Sequence, residues 1–294
     1  MSKKIDIKNN IIYIIIGLAL TVYIISLLAS LFWALFATLR PYSDFINNPA
    51  GFPAKITFDN WTATFEKFAK PIYKDGVYKT TYYIGDMFLI SLAYAIGCSF
   101  IQTGTACICA YLTAKYPFRL GKIVYKIVII VMIIPIVGSL PSEIQMLRGL
   151  GLYDTFLGVY IMKMNFLGLY FLVFYATFRS LSWDYAESAF LDGASHFTVM
   201  FRIMLPLVST TFSTVFVLNF IGFWNDYTTV MIYLPSYPTM SYGLFYMKFV
   251  ATAAFGKTPM QLTGCILMAL PVILLFIIFQ ERLMGNLTVG GLKG

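Results

Sequence analysis

The chain has 294 residues, of which 59% are hydrophobic and only 12% charged. That balance excludes an ordinary soluble domain, and several apolar runs reach the roughly 20 residues needed to cross a bilayer. The net charge of +8 is scattered and builds no soluble basic domain, so it bears on membrane topology rather than on nucleic acid.

Residues 1–10 carry Lys3, Lys4 and Lys8 ahead of an apolar run over 11–39. The run is too long for a signal-peptide core and lacks a convincing cleavage site, which predicts an uncleaved first span. Arg40-Pro41 ends it. Residues 41–80 are polar and aromatic, and Pro49, Pro53 and Pro71 break any long helix there. A second span is expected over 84–113, long enough to tilt or protrude. A basic turn over 114–122 follows, with Lys115, Arg119 and Lys122. The third span is placed at 123–140 with a kink at Pro135, then a short loop at 142–154 and a fourth span at 155–178. After a loop over 179–205 come a fifth span at 206–227, an aromatic interfacial segment at 233–258, a sixth span at 261–279 and a tail. With the N-terminus inside, eleven of the 21 Lys and Arg fall inside, from Lys3 to Lys293. The split is nearly even, but the basic N-terminus and the turn between spans two and three favour this orientation.

Candidates for chemistry are sparse. Cys98, Cys107, Cys109 and Cys265 all fall in apolar segments, and Cys107-x-Cys109 lacks a second ligand pair, so membrane packing is expected rather than a metal or redox site. The sole histidine, His196, has no Cys or acidic neighbour at ligand spacing. Phe255-Gly256-Lys257-Thr258 resembles the end of a phosphate-binding loop, but Ala251 replaces the required glycine and Pro259 stands where the helix should begin. No Ser/His/Asp arrangement or paired-carboxylate motif is visible. Gln102 and Asn165 within the spans, and Glu143 and Gln145 in the loop after the third, suit either a polar pathway or hydrogen bonds to neighbouring helices.

The most structured polar-edged run is Ala186–Pro206. Asp184 is placed to cap a helix, and Glu187 three residues later completes an acidic variant of the capping box. Ala186, Ala189 and Ala194 are small enough for a partner backbone to approach closely. Gly193 follows Asp192 where a helix would end in a left-handed residue. A second amphipathic turn carries Phe197, Met200, Phe201 and Met204, and Pro206 suits the first turn of the next helix. The run therefore reads as helix, glycine corner, helix and membrane entry. From the residues alone, an ordinary amphipathic loop between two spans is the leading reading.

At Glu187, Ala189, Asp192, Gly193, Ala194, Phe201, Ile203, Leu205 and Pro206, however, the run resembles the EAA loop of binding-protein-dependent ABC importer permeases. Three further stretches are similar to elements of that family. Gly149–Asp154 resembles its "LGL-nT" element, and Phe223-Trp224-Asn225-Asp226-Tyr227 its aromatic "WNDF" signature. Phe279-Gln280 with Gly290–Gly294 resembles the ending of maltose-transporter-type sugar permeases.

The resemblance implies an all-α membrane protein with six transmembrane helices and the type I importer permease fold. Residues 1–83 would comprise the N-terminal tail, first helix and first external segment around Thr57–Trp61. Residues 84–280 would form the core with its cytoplasmic coupling loop at 179–205, and 281–294 a cytoplasmic tail. It implies a transport subunit rather than an enzyme, carrying a sugar or oligosaccharide inward across a bacterial plasma membrane, with both termini cytoplasmic. Ala186, Glu187, Ala189, Asp192, Gly193, Ala194, Phe201 and Pro206 would couple it to separate ATPase subunits, and Gly291, Lys293 and Gly294 would reach toward the same interface. Mg-ATP would bind the two partner ATPases and no cofactor this chain. The other implied partners are a second, different permease, an external solute-binding protein and membrane lipid. For Asn219, Trp224, Asn225 and Asp226, substrate contact and anchoring in an interfacial aromatic belt both stay open. The competing class is an ATP-independent secondary transporter or channel, which would show paired broken helices in two repeated halves. No such repeat is visible.

Overall fold

The computed structural model describes residues 7–116, 118–134 and 138–288. Pro135 and the tail residues Gly291, Lys293 and Gly294 lie outside them. The chain forms two compact units, residues 1–68 with 247–267, and residues 69–246 with 268–294.

In the first unit, α1 (Ile7–Thr38) is followed by two short helices, α2 (Tyr42–Asn47) and α3 (Asp59–Lys67). The apolar stretch of α1 is not buried in the protein at all, as expected of a helix that meets lipid around its circumference. Past its end the chain turns on Arg40, which is 1% exposed. The Arg40 guanidinium donates to the carbonyls of Pro49 (2.7 Å) and Gly51 (2.8 Å) and lies 4.9 Å from the Phe45 ring. Asn60 closes the corner by donating to the carbonyls of Thr38 and Arg40. These bonds satisfy backbone acceptors that a helix end and an irregular loop leave free.

The second unit opens with a hairpin of β1 (Ala69–Lys74) and β2 (Val77–Tyr83), paired antiparallel from Ala69 opposite Tyr83 to Lys74 opposite Val77. Its two-residue turn, Asp75-Gly76, has φ of +53° and +76°. Positive φ at both positions matches the right-handed twist of the strands.

Helix α4 (Ile84–Lys115) is the axis of this unit. Its 32 residues extend about 48 Å at ~1.5 Å per residue. After it come α5 (Arg119–Ile133), α6 (Leu140–Gly149), α7 (Phe156–Met162), α8 (Leu169–Ser180) and α9 (Asp184–Leu191). Next are α10 (His196–Thr198), a π-helical turn over Val199–Met204, α11 (Leu205–Leu207), α12 (Ser209–Asn225), α13 (Tyr227–Tyr233) and α14 (Met240–Phe249). The last described elements are α15 (Thr252–Phe255) and α16 (Thr258–Thr288); the division into units falls within α14 and α16.

Two buried clusters divide α4 along its length. Near Ile84, Tyr94, Ala95 and Cys98 pack with Phe220, Trp224, Val230 and Tyr233. Toward Lys115, Ala106, Cys107, Ala110 and Tyr111 pack with Phe171, Phe174 and Phe178 of α8 and with Val199 and Met204. Small residues on α4 permit this closeness: a Cβ on Gly97 would overlap the Tyr160 ring of α7.

Among the described residues, α1 from Ile12, α4 and α16 to Glu281 are each long and apolar enough to cross a membrane. Residues 196–207 and 209–225 also qualify together, although bent by 76°. The expected fifth span is thus sharply angled at its entry. The expected continuous fourth span is two helices, α7 and α8. The Asn165 carboxamide oxygen accepts from the Leu167 amide (2.8 Å), and that local bond competes with helix continuation. The interfacial segment at 233–258 holds two helices rather than a loop. The tail expected from residue 280 is helical as far as Thr288.

Candidate functional site

The turn between α4 and α5 and the chain over 181–204 meet at the Lys115 end of α4. Helix α9 starts after Trp183, with Asp184 as its first residue rather than its cap. The Asp184 amide donates to the Ser182 hydroxyl (3.2 Å), but no side chain caps the helix, and the capping box expected of Asp184 and Glu187 does not form. At the other end Gly193 has φ +82°. Its amide donates to the Phe190 carbonyl (3.0 Å) and the Ala194 amide to the Ala189 carbonyl (2.9 Å). That pair of bonds is the Schellman ending, which requires a left-handed residue where Gly193 stands. Ser195 then caps α10, its hydroxyl accepting from the Thr198 amide.

Aromatic and cationic side chains clamp this element to the rest of the unit. The Lys115 ammonium donates to the Leu181 carbonyl (2.7 Å) and lies 5.8 Å from the Trp183 ring. Tyr116 packs edge-on against Trp183, and its hydroxyl is 2.8 Å from His196 Nδ1. His196 in turn lies 4.9 Å from the Phe190 ring. Neither Tyr116 nor Trp183 was expected here from sequence. Lys115 lies 66 residues before Leu181, and its pairing with Leu181 and Trp183 depends on α4 and α8 ending side by side.

The loop presents two faces. Ala186 is fully buried in the chain's own core, and Ala189 and Ala194 are partly buried against it. The close approach expected of a partner at Ala186 is therefore taken up by the protein itself. Glu187, Asp192, Gly193, Phe197, Phe201 and Pro206 face outward. Leu191 is 90% and Phe197 76% exposed, so two bare apolar tips stand beside the carboxylates of Glu187 and Asp192. Large apolar side chains held in the open on a well-packed element suit contact with another protein or with a membrane surface. Beyond Phe197, the π-helical turn and α11, with Pro206 in its first turn, lead to the 76° bend.

This arrangement agrees with a comparison of family models, in which residues 102–287 match the inner membrane component of binding-protein-dependent transport systems. The chain belongs to that family. It is 25% identical over 268 residues to the trehalose transport system permease protein SugB of Mycobacterium tuberculosis, covering 89% of this chain and 91% of SugB. It is 27% identical over 288 residues to the arabinooligosaccharides transport system permease protein AraQ of Bacillus subtilis, covering 94% and 96%. Its fold matches a chain in the crystal structure of a bacterial ABC transporter involved in the import of the acidic polysaccharide alginate. The TM-score is 0.71 at 19% identity, over 96% of this chain and 98% of that one. The protein is thus a membrane transport component with the fold of an ABC importer permease.

Within this permease, three of the four residues read as pathway or belt candidates are joints between elements. Asn219 is buried and donates to the Thr103 hydroxyl (2.9 Å), linking α12 to α4. Trp224, 1% exposed, donates through Nε1 to the Met268 carbonyl of α16 (2.9 Å) and stacks on Phe220. Burial inside the chain removes it from a lipid interface. Asp226 caps α13 by accepting from the Thr229 amide (2.9 Å) and also accepts from the Tyr94 hydroxyl (3.1 Å). Asn225 alone is exposed, its side chain donating to the Ile221 carbonyl one turn back. Sequence distinguishes none of these roles, because each depends on how α12 is rotated. At the same end of the unit the Tyr233 hydroxyl donates to Glu143. That bond is the main reason the Glu143 carboxyl is held below its usual range.

Proposed function

We propose that the chain is one transmembrane subunit of an ATP-driven ABC importer that carries a sugar or oligosaccharide inward. The observation that carries this reading is the 181–204 element, which is fixed to the core on one face and bare on the other. A rigid docked element of this kind transmits a movement of its partner to the helices behind it. Closure of two partner ATPases on Mg-ATP would push through Glu187, Leu191, Asp192 and Phe197, and the bend before α12 would pass the displacement into the bundle.

The substrate class is supported by the names of SugB and AraQ, which transport trehalose and arabinooligosaccharides. A second, different permease and an external solute-binding protein complete the assembly, in keeping with the family's dependence on a binding protein. Both termini are cytoplasmic in this reading, with the 181–204 element on the same side. The β1–β2 hairpin and α13 then lie outside, since they meet the Ile84 half of α4. The described tail segment ends α16 on the cytoplasmic side, and Gly291, Lys293 and Gly294 would extend it toward the ATPases.

The test is uptake of labelled trehalose, arabinotriose and related oligosaccharides by host cells with and without the chain. Loss of uptake of at least one sugar, restored by the wild-type chain and abolished by ATP depletion, is expected. Undiminished uptake of every sugar in the deleted strain would sink the carbohydrate assignment.

A further inference from the structure

A cleft of about 540 Å³ opens where α4 ends, α5 begins and α8 ends, beside the 181–204 element but apart from its bare tips. Its wall carries Lys115, Lys122, Lys126 and Arg179 with Tyr116 and Tyr175, and no carboxylate is among its described lining residues. The Lys115 ammonium is already committed to the Leu181 carbonyl. Lys122, Lys126 and Arg179 are exposed, and Arg179 is steadied by a hydrogen bond to the Tyr175 hydroxyl (3.2 Å). Tyr125 and Tyr175 pack with their rings 4.7 Å apart at the back of the cleft.

Those two tyrosines and Arg179 also line a second cavity, of about 570 Å³, which runs on along α8 past Leu172 and Ala176. The first chamber is basic and the second mainly apolar. A free anion would need only the first, whereas a molecule with a charged head and a hydrocarbon tail matches both. Basic pockets between transmembrane helices at the cytoplasmic level suit phosphate headgroups, and the Lys115 end of α4 is at that level in a membrane component of this orientation.

We infer that the paired chambers hold one anionic phospholipid, its phosphate among Lys122, Lys126 and Arg179 and one acyl chain along Leu172 and Ala176. Phosphatidylglycerol has this chemistry; phosphatidylcholine, whose choline cancels the phosphate charge, lacks it. A lipid here would brace the α4–α5 turn that also supplies Lys115 and Tyr116 to the neighbouring element. The inference rests on the membrane orientation and not on the transported substrate.

The test is native mass spectrometry of the purified full chain, released from detergent after equilibration with dioleoyl phosphatidylglycerol or dioleoyl phosphatidylcholine. One phosphatidylglycerol per chain should be retained, in clear preference to phosphatidylcholine. Each Lys or Arg near an anionic phosphate contributes about fivefold, so K122Q/K126Q/R179Q together should lower retention by roughly a hundredfold. Ala176→Trp, which fills the apolar chamber and leaves every charge in place, should lower it as well. Helical content by circular dichroism checks that each variant is folded. Equal retention of phosphatidylcholine, or an unaffected Ala176→Trp variant, would overturn the inference. Displacement by millimolar inorganic phosphate would make the cleft a free-anion site. Exclusion of the lipid on co-expression with the second permease would assign the cleft to that protein. None of these readouts needs transport, so a failure here is separable from a failure of the importer reading.

Discussion

The hydroxyl of Tyr116 and Nδ1 of His196 lie 2.8 Å apart, joining the turn after α4 to the start of α10 across 80 residues of chain. With Lys115 bound to the Leu181 carbonyl, this contact makes the 181–204 element part of the core instead of a tethered loop. A movement imposed on its outer face therefore has a stiff route to α4.

Weakening that route should reduce coupling without unfolding the protein. Tyr116→Phe removes one hydrogen bond, for which a net contribution of about 1 kcal/mol is typical. ATP-driven uptake in proteoliposomes is expected to fall several-fold while the melting temperature changes little. His196→Ala should act in the same direction, and because both changes remove the same hydrogen bond its effect on top of Tyr116→Phe should be limited to the lost ring packing on Tyr116 and Phe190. Additive losses in the double variant would show that the two residues act separately.

Gly193 has open space where a side chain would go, so substitution there is limited by backbone conformation alone. A β-branched residue at φ +82° is disfavoured by roughly 1–2 kcal/mol. Gly193→Val should distort the ending of α9 and uncouple transport from ATP hydrolysis, while Gly193→Asn, which tolerates the left-handed region, should keep most of the activity. Full uptake by the valine variant would contradict the role given to this corner.

Lys70 on β1 is 6% exposed, with its ammonium 4.5 Å from the Tyr242 ring and 5.3 Å from that of Tyr246. Burial pulls its pKa from 10.5 down to about 8, against which the two aromatic faces favour the cation. With the folded value below the unfolded one, the unfolded chain holds the extra proton between them. Stability should therefore rise as pH increases from about 8 toward 10.5. Thermal melts of the detergent-solubilised protein across that range should show the rise in wild type and lose it in Lys70→Met.

The Asn219–Thr103 bond bridges α12 and α4 in a buried setting. Hydrogen bonds between membrane helices average only about 0.6 kcal/mol, but a buried amide left without a partner costs more than the bond itself supplies. Thr103→Val is thus expected to lower the melting temperature more than the double change Thr103→Val with Asn219→Leu. A double variant less stable than the single one would show that Asn219 has another essential partner.

Much of this was legible in the sequence because it depends on local chemistry. The glycine corner at 193, the helix before it and the apolar lengths of α1, α4 and α16 follow from neighbouring residues. So does the hairpin turn at Asp75-Gly76, in a segment whose prolines at 49, 53 and 71 otherwise argue only against a long helix. The break in the fourth span is not legible, because apolar composition hides the bond from the Leu167 amide to the Asn165 side chain. The roles of Trp224, Asp226 and Ala186 were not legible, since each is set by a partner more than 40 residues away or by which face of a helix turns inward. The clamp of Lys115 and Tyr116 on Trp183 and His196 was invisible for the same reason.

The most direct test of the coupling account is co-purification of the tagged chain with an ABC ATPase of its host, comparing wild type with a Glu187→Lys, Gly193→Val double variant at equal membrane abundance. The account predicts that the ATPase is recovered with wild type and lost with the variant. Recovery of no ATPase with either chain, or equal recovery with both, would contradict it.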